Sequence, residues 1–295
     1  MDNQNLSAFI KVAETNSFSE AAFLLEVTQS TISKRIALLE SKIGKRLFDR
    51  IARQVTLTEA GMELLPRARL IINEYESALQ AINDLSGKTS GILRLAISHH
   101  LGLHRLPPLL KTYAQHHTDV ILDIEFMDSE KAYEQVLNGH SEIAVITLAL
   151  EGHPNIVSQK VWNDPLHFIC ANDHPLAELI SPKLADIANF PVILPGLNTY
   201  TGRIVQKLFQ TENVPLKSTM STNYLETIST MVEVGLGWSV LPETLAKELH
   251  VMPFKHTEMH RDLGYICHTK RTLSNAANAF LQLLNSEVAR EKIIQ

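Results

Sequence analysis

Cysteine is scarce in this chain of 295 residues, which contains only Cys170 and Cys267. The two residues are far apart in sequence and form no CxxC pair, so the chain has no disulfide framework. Both lie in apolar stretches, HFICA and GYICH, where an unpaired thiol is usually an inert part of the core. A peroxide-sensing thiol would instead need exposure and a lowered pKa. We therefore expect buried structural thiols at both positions.

Long apolar runs are missing as well. No stretch approaches the roughly 20 apolar residues that a membrane helix needs. The first residues, MDNQNLSAF, lack the charged-then-apolar pattern of a secretion signal. We therefore expect no membrane partner and a cytoplasmic, reducing location.

Catalytic motifs are a third absence. The chain contains no GxSxG, no HExxH, no GxxxxGK[ST] and no GxGxxG after a strand. His99, His100 and His104 suggest a metal site, but the 13 histidines are scattered without a cysteine or carboxylate cluster at fixed spacing. The sequence therefore predicts no enzyme, no cofactor and no metal site.

The composition that is present describes a globular protein. Hydrophobic residues make up 45% of the chain and charged residues 20%, which is enough apolar material for a substantial core. A length of 295 residues favours two domains, at about 150 residues per domain.

The segment from Ser17 to Gly61 contains two short helix patterns separated by a polar turn. Ser17 and Glu20 have the spacing of a capping box, which would start the first helix. Thr28 is a suitable N-cap for the second helix, whose apolar stripe recurs every three or four residues. That stripe, which we expect to be buried, contains Ile32, Ile36, Leu39 and Ile43.

The opposite face of the second helix carries residue types that read base edges and phosphates from a major groove. A basic run follows it and, with the apolar alternation after it, indicates a two-stranded wing along the phosphate backbone. Between Thr31 and Arg53 seven basic residues stand against two acidic ones, although the net charge of the chain is −5. One small module is therefore expected to bind a polyanion. The candidate DNA-binding residues are Gln29, Ser30, Thr31, Ser33, Lys34, Arg35, Arg50 and Arg53.

A long helix is predicted from about residue 58 to about residue 85. Its apolar positions follow a heptad seam, which favours dimerisation over packing on its own domain. The seam contains Leu65, Ala68, Ile72, Tyr75, Leu79 and Ile82. Pro66 must kink this helix or remove one of its hydrogen bonds. The small polar stretch from Ser86 to Gly91 reads as a linker.

Beyond Gly91 strand and helix patterns alternate, which predicts a parallel sheet covered on both faces. We expect strands at 92–97, 120–126, 142–147, 238–241 and 264–268, and helices at 101–114, 130–137, 201–210, 225–234 and 273–288. In such sheets ligands bind beyond the carboxyl ends of the strands, at the N-termini of helices.

The polar residues at those strand ends are candidates for binding a small molecule. Ser98, Thr147 and Thr201 are the favoured hydrogen-bond donors, and His100 would supply a pH-sensitive charge. For each Ser or Thr, helix capping without a ligand remains the alternative. The complete set is Ser98, His99, His100, Asp128, Ser129, Thr147, Tyr200, Thr201 and Asn223.

The order of these motifs resembles the LysR-type transcriptional regulators. The resemblance rests on Ser17-Phe18-Ser19-x-Ala21-Ala22, on Thr28-Gln29-Ser30-x-Ile32-Ser33-Lys34-x-Ile36 and on Arg53-x-Val55-x-Leu57-Thr58-x-Ala60-Gly61. The family often has Pro at Ser30 and Arg at Lys34, changes that could alter which operator is read. Leu93-Arg94-Leu95 and Val234-Gly235-x-Gly237-x-x-Val240-Leu241-Pro242 extend the resemblance less specifically through the rest of the chain.

The resemblance implies an α+β multidomain protein. It comprises a winged helix-turn-helix DNA-binding domain at 1–60, a dimerisation helix at 58–88 and an effector-binding domain at 91–295. The last would consist of two α/β lobes similar to periplasmic solute-binding proteins, lobe one at about 91–160 and 264–295 and lobe two at about 161–263. The implied partners are double-stranded promoter DNA, a small-molecule effector and copies of the chain forming a homodimer and a homotetramer.

The leading hypothesis is thus a sequence-specific transcriptional regulator controlled by a small molecule bound between two lobes. A solute-binding or enzymatic α/β protein, with its N-terminal helices used only for dimerisation, is one alternative. The basic N-terminal segment and the missing secretion signal oppose it. A non-specific architectural DNA binder is another alternative, which the large C-terminal domain opposes.

Overall fold

The computed structural model describes residues 2–51, 54–84, 89–216, 218–254 and 259–294. The chain forms two compact units. The first contains residues 1–88 with the short segments 138–140 and 271–274, and the second contains the remainder. Among the described residues, no helix combines the length and the apolarity that crossing a bilayer requires.

The first unit consists of three helices, a hairpin and a long helix. Its elements are α1 (Asn3–Thr15), α2 (Phe18–Leu24), α3 (Gln29–Ile43), β1 (Phe48–Ile51), β2 (Gln54–Leu57) and α4 (Glu59–Asp84). β1 and β2 pair antiparallel, as the wing pattern predicts.

Side-chain caps set where α2 and α3 begin. The Glu20 N–H donates to Ser17 Oγ at 3.2 Å, and the Thr31 N–H donates to Thr28 Oγ1 at 3.2 Å. Both expected N-caps are confirmed. The second half of the expected capping box is wrong, because the Ser17 N–H donates to Thr15 Oγ1 rather than to Glu20.

One apolar core joins the three short helices to the hairpin. Ile32, Ile36 and Leu39 are buried in it, as expected, and Phe9 packs against Phe48 with ring centroids 5.4 Å apart. Ile43 departs from the expected stripe, since 37% of it is exposed. It is the last residue of α3, directly before Gly44, so the stripe leaves the core where the helix ends.

The apolar seam of α4 divides into two halves. Ala68 is fully buried in the core of the first unit, and Leu65 and Ile72 pack against that core. Tyr75, Leu79 and Ile82 are exposed instead. The first half of the seam therefore packs on its own domain, contrary to an uninterrupted dimer seam, and only the second half is free for a partner. Pro66 lies inside the helix and cannot donate a backbone hydrogen bond there.

The described residues of the second unit form nine strands and nine helices. The strands are β3 (Gly91–Ser98), β4 (Val120–Met127), β5 (Ile143–Thr147), β6 (Ile156–Cys170), β7 (Val192–Leu194), β8 (Ser218–Ser221), β9 (Ser239–Pro242), β10 (His250–Val251) and β11 (Met259–His268). The helices are α5 (His99–His104), α6 (Pro107–His116), α7 (Ser129–Leu137), η1 (Pro175–Glu178), α8 (Leu184–Ile187), α9 (Tyr200–Thr211), α10 (Leu225–Glu233), α11 (Glu243–Ala246) and α12 (Asn275–Ile294).

The helix expected at 101–114 is wrong as a single element, because α5 and α6 are separate. Pro107 and Pro108 begin the second helix, and proline cannot continue a helix through an interior hydrogen bond. The first helix, α5, starts two residues earlier than expected, directly after Ser98.

The main sheet of the second unit is mixed, so the expectation of a parallel sheet is only partly right. Its strand order is β10-β6-β11-β5-β3-β4, with β9 also paired to β6. β3 is parallel to β4 and β5, whereas β11 runs antiparallel to both β5 and β6. β6 and β11 are two long strands that carry the chain in opposite directions, a feature that local alternation does not reveal.

These two long strands connect two lobes. We call the part of the second unit that contains β3, β4, β5, α5, α6, α7 and α12 lobe one, and the part that contains β7, β8, β9, α8, α9, α10 and α11 lobe two. The register of β11 on β6 shifts between Leu263 and Gly264, at the crossing point. A Cβ atom at Gly264 would overlap the carbonyl oxygen of Gln159, so this close approach of two backbones requires glycine.

Candidate functional site

The exposed face of α3 presents the residues expected to contact DNA. Gln29, Ser30 and Lys34 are exposed, and Thr31, Ser33 and Arg35 are partly exposed. Because Ile32 and Ile36 on the opposite side are buried in the core, the helix has a fixed orientation. Every predicted residue on α3 is therefore at least partly exposed.

Three of these side chains also have partners within the first unit. The hydroxyl groups of Ser30 and Thr31 lie 2.9 and 2.8 Å from Thr28 Oγ1, so they form one cluster with the cap of α3. Arg35 Nη2 donates to Gln4 Oε1 on α1 at 2.8 Å. Arg35 thus stabilises the pairing of α1 with α3, a role that the sequence did not indicate.

The remaining two candidates for DNA binding, Arg50 and Arg53, belong to the segment expected to form the wing. Arg50 lies in β1, opposite Val55, and its side chain is outside the described part of the chain. Arg53 lies outside the described residues. Three basic residues are exposed near the wing, and none of them forms an ion pair with another described residue: Lys42 in the last turn of α3, and Lys45 and Arg46 between α3 and β1. Their charges are therefore not neutralised within that part of the molecule.

The nine residues predicted to bind a small molecule line one cavity between the two lobes. Other lining residues, which the predicted set did not include, are Glu130, Pro195, Thr199, Glu226 and Arg261. The cavity has a volume of about 50 Å³. Drug-sized ligands occupy pockets of roughly 300–1,000 Å³, so this conformation has room for one or two water molecules.

Polar contacts across the cleft hold the lobes in this arrangement. Asn223 Nδ2 in lobe two donates to Asp128 Oδ2 in lobe one at 2.8 Å, and Asn223 Oδ1 accepts the Gly196 N–H of its own lobe at 3.1 Å. The Tyr200 N–H donates to Glu130 Oε1 at 2.5 Å. His99 packs against Tyr224 with ring centroids 4.7 Å apart.

Glu130 places a carboxylate at the N-terminus of α9. Its carboxylate meets the first N–H of α9, a helix of 12 residues capped by Thr199, where the helix dipole favours negative charge. Burial raises the pKa of Glu130, although its hydrogen bond to the Tyr200 N–H opposes that shift. The structure thus contains an internal carboxylate at a helix N-terminus inside the cleft.

Arg261 supplies a buried positive charge beside the same helix. Its Nε donates to Asp164 Oδ2 at 2.7 Å and its Nη1 to Thr201 Oγ1 at 3.2 Å. The third nitrogen, Nη2, is buried and has no hydrogen-bond partner among the described residues. Thr201, expected as a donor to a ligand, accepts this internal hydrogen bond and keeps its own proton available.

Ser98 and Thr147 differ in how they are used. Ser98 is the N-cap residue of α5, but its hydroxyl makes no capping hydrogen bond. The Thr147 backbone N–H donates to Ser129 Oγ at 3.1 Å. Ser129 therefore helps to position β5, whereas Ser98 is not used for capping although it is buried.

His100 is buried at the foot of the cleft, where two other groups approach it. Its Nδ1 lies 3.5 Å from Glu226 Oε1, and His104 Nε2 lies 2.9 Å from the same oxygen. Burial lowers the pKa of His100, which favours the neutral ring, although the contact with Glu226 opposes that shift. The contact with His100, and then that with His104, lowers the pKa of Glu226 to about 2.

Both cysteines are free and buried, which confirms the expectation of structural thiols. Cys170 lies at the end of β6 in the core of lobe two, and burial raises the pKa of its thiol to about 11. Burial also raises the pKa of Cys267. Neither environment produces the thiolate that peroxide sensing requires.

The architecture defines a class of protein, one that combines a helix-turn-helix unit with a two-lobed α/β domain whose cleft is lined by polar residues. Two family models match it: "Bacterial regulatory helix-turn-helix protein, lysR family" over residues 4–62 and "LysR substrate binding domain" over residues 86–289. The chain belongs to the LysR family of transcriptional regulators. It is a DNA-binding, effector-controlled regulator rather than an enzyme.

Individual relatives agree with this assignment. An uncharacterised helix-turn-helix regulator from the ibpB-leuC intergenic region of Azotobacter vinelandii is 58% identical over 108 residues, covering 37% of this chain and 75% of the relative. Full-length OxyR from Pseudomonas aeruginosa, solved as a variant, is 22% identical with a TM-score of 0.73 and covers 98% of this chain and 94% of its own. Full-length CbnR in complex with its target DNA is 20% identical with a TM-score of 0.66, covering 99% of this chain and 100% of its own.

Proposed function

We propose that a small organic anion controls this regulator by entering the cleft and replacing the Glu130 carboxylate at the N-terminus of α9. The observation that carries this proposal is the position of Glu130, which places a carboxylate of the protein against a backbone N–H between the lobes. An anion of the effector would meet the same N–H and the unpartnered Nη2 of Arg261. Ser98, Thr147 and Thr201 would then donate to its remaining oxygens.

The size of the cavity requires that the lobes move apart before such a ligand can bind. A volume of about 50 Å³ is too small for an organic anion. Opening breaks the Asp128–Asn223 and Glu130–Tyr200 hydrogen bonds, and each is worth on the order of 1 kcal/mol net. A ligand shifts the lobes only by the difference of its affinities for the two arrangements.

The exposed side of α3 would lie in a major groove of DNA. Its contacts with bases or phosphates would come from Gln29, Ser33 and Lys34, and Ser30, Thr31 and Arg35 lie next to these residues on the helix. The wing arginines Arg50 and Arg53 would contact the phosphate backbone. The exposed second half of the α4 seam would pair with a second copy of the chain, so that two heads read two half-sites. CbnR was solved on its target DNA with this fold, which supports the same use of the head here.

Two further parts of the proposal concern assembly and location. We infer a homotetramer formed from two such dimers. In such an assembly, ligand binding in the cleft of each chain would change the distance between the paired DNA-binding domains (residues 1–60). We place the protein in the cytoplasm, where promoter DNA is found.

A thermal-shift screen tests the ligand proposal. Small mono- and dicarboxylates are added to the full-length protein, and a ligand at 100 times its Kd should stabilise the folded state by about 2.7 kcal/mol. The same ligands should give little or no shift with Arg261→Met, while they still shift Lys207→Met, a control on the exposed face of α9. Shifts that are equal in both variants, or given only by cationic compounds, would contradict an anionic effector held by Arg261.

A further inference from the structure

We propose that His100, His104 and Glu226 bind a divalent transition-metal ion of the zinc, cobalt and nickel class, which bridges the two lobes. His100 and His104 come from α5 in lobe one, and Glu226 comes from α10 in lobe two. The metal joins elements that are 122 positions apart in the sequence. Local histidine spacing alone could not reveal the third ligand, which explains why the sequence argued against a metal.

The ligand atoms already have the spacing of a metal site. One nitrogen of each ring and one oxygen of Glu226 lie within 4.8 Å of one another. Glu226 Oε1 is 2.9 Å from His104 Nε2 and 3.5 Å from His100 Nδ1. Ligands at 2.0–2.1 Å from a tetrahedral zinc ion are about 3.4 Å apart, so small side-chain adjustments suffice.

The spacing of the two histidines places them on one face of the helix. Residues i and i+4 are neighbours on a helix surface, and the two rings have centroids 4.7 Å apart. A pair of imidazoles with one carboxylate suits borderline ions such as Zn²⁺, Co²⁺ and Ni²⁺. Mg²⁺ and Ca²⁺, in contrast, prefer oxygen ligands.

The second observation is the state of His100, which does not depend on the spacing argument. Its side chain is 6% exposed, Nε2 has no hydrogen-bond partner among the described residues, and the nearest acceptor to Nδ1 is Glu226 Oε1 at 3.5 Å, which is too long for a well-formed hydrogen bond. Buried polar groups in proteins are nearly always hydrogen-bonded, so such an orphaned ring needs an explanation. A metal ion on Nδ1 would give that nitrogen a partner.

Access and space also suit an ion. The side chains of His104 and Glu226 are 30% and 32% exposed, so solvent reaches the open side of the triad. The adjoining cavity of about 50 Å³ is large enough for a coordinated water molecule in the fourth position. Three protein ligands and one open position are typical of sites that exchange a small ligand.

Binding would lock the cleft, because the ion holds ligands from both lobes. The metal affinity itself is independent of the effector proposal. Only the effect of the ion on DNA binding rests on the proposed function.

The test uses tag-free, full-length protein that has been stripped with a chelator. Zn²⁺ alone is titrated calorimetrically, and Co²⁺ alone is added to record the visible absorption that low-symmetry cobalt sites give. We expect one ion per chain, with Co²⁺ absorption abolished by excess Zn²⁺. His104→Ala and Glu226→Gln should each weaken binding by about tenfold or more, whereas His116→Ala, an exposed histidine of α6, should bind like the wild type.

The two variants remove ligands from different lobes, so misfolding of one does not decide the outcome, and circular dichroism identifies a variant that has not folded. Absence of binding by the wild type, or unchanged binding in both folded variants, would overturn the metal site. Neither result depends on DNA. A gel shift with operator DNA is run separately, with and without Zn²⁺. If Zn²⁺ binds but leaves the affinity for DNA unchanged, the proposal that lobe movement controls DNA binding is contradicted.

Discussion

At the scale of single residues, the position of a side chain in the fold decides its chemistry more than its type does. Arg35 and Lys34 are adjacent basic residues of α3, yet Arg35 donates to Gln4, while Lys34 is exposed and has no hydrogen-bond partner among the described residues. Ser98 and Ser129 both line the cleft, but only Ser129 accepts a backbone hydrogen bond. Such differences separate groups available to a partner from groups already used by the fold.

Gln29 is expected to read a base. Its side chain is exposed at the first position of α3 and can form a bidentate contact with an adenine edge. Replacement by Ala should lower the affinity for the preferred operator by about 1–3 kcal/mol and relax sequence preference at one position. Competition gel shifts against a library of single-base operator variants measure this effect.

The matched control is Gln115→Ala, an exposed glutamine of α6 in the other unit, which should leave operator preference unchanged. An unaltered preference in the Gln29→Ala protein would contradict the assignment of α3 as the reading helix.

Cys170 is expected to resist modification in the folded protein. Because burial raises its pKa to about 11, almost no thiolate is present at pH 8, and access is blocked as well. Iodoacetamide labelling followed by mass spectrometry should find Cys170 unmodified in the native state and modified in denaturant. Rapid labelling, or sulfenic acid formation with dilute peroxide in the native protein, would reopen the sensing hypothesis.

At the scale of elements, caps and stripes were predictable because they depend on neighbours in the sequence. The starts of α2 and α3 at Ser17 and Thr28 follow from side chains bonding to N–H groups three residues away. The break between α5 and α6 also has a local cause, Pro107, but a continuous apolar pattern concealed it. The two halves of α4 could not be separated, since the same heptad pattern serves a core and a partner surface.

The exposed half of α4 is expected to hold the dimer together. Leu79 is 47% exposed between Tyr75 and Ile82, and a charge there would have to be desolvated in a helix pair. Leu79→Glu should shift the protein toward monomer, measured by sedimentation velocity over a range of concentrations. Glu74→Ala, on an exposed position of the same helix, should not change the distribution. A Leu79→Glu protein with the wild-type distribution would place the dimer contact elsewhere.

The crossing of β6 and β11 is expected to tolerate no side chain at Gly264. A methyl group there would overlap the backbone of Gln159, which cannot move without disturbing the strand pairing. Gly264→Ala should therefore reduce the free energy of unfolding by about 1–3 kcal/mol. Gly152→Ala has open space around the added carbon and should stay within about 0.5 kcal/mol. Equal urea midpoints for the two variants would contradict the close approach.

At the scale of the whole molecule, sequence patterns identified the architecture and brought nine polar residues to one cavity. They missed Glu130, Glu226 and Arg261, because each acts through a partner distant in sequence: Tyr200, His104 and Asp164. They also missed the antiparallel course of β6 and β11, because strand direction is set by the whole sheet. Local sequence patterns therefore predicted where the strands end. They could not predict which charged residues from distant parts of the chain meet across the cleft.

The central claim is that occupancy of the cleft changes how the two heads bind DNA. The most direct measurement is a footprint on an operator selected from a randomised duplex pool, recorded with and without a carboxylate found in the thermal-shift screen. We predict that the ligand lengthens or shortens the wild-type footprint and leaves that of Arg261→Met unchanged. A wild-type footprint that stays identical while the ligand saturates the protein would contradict the claim.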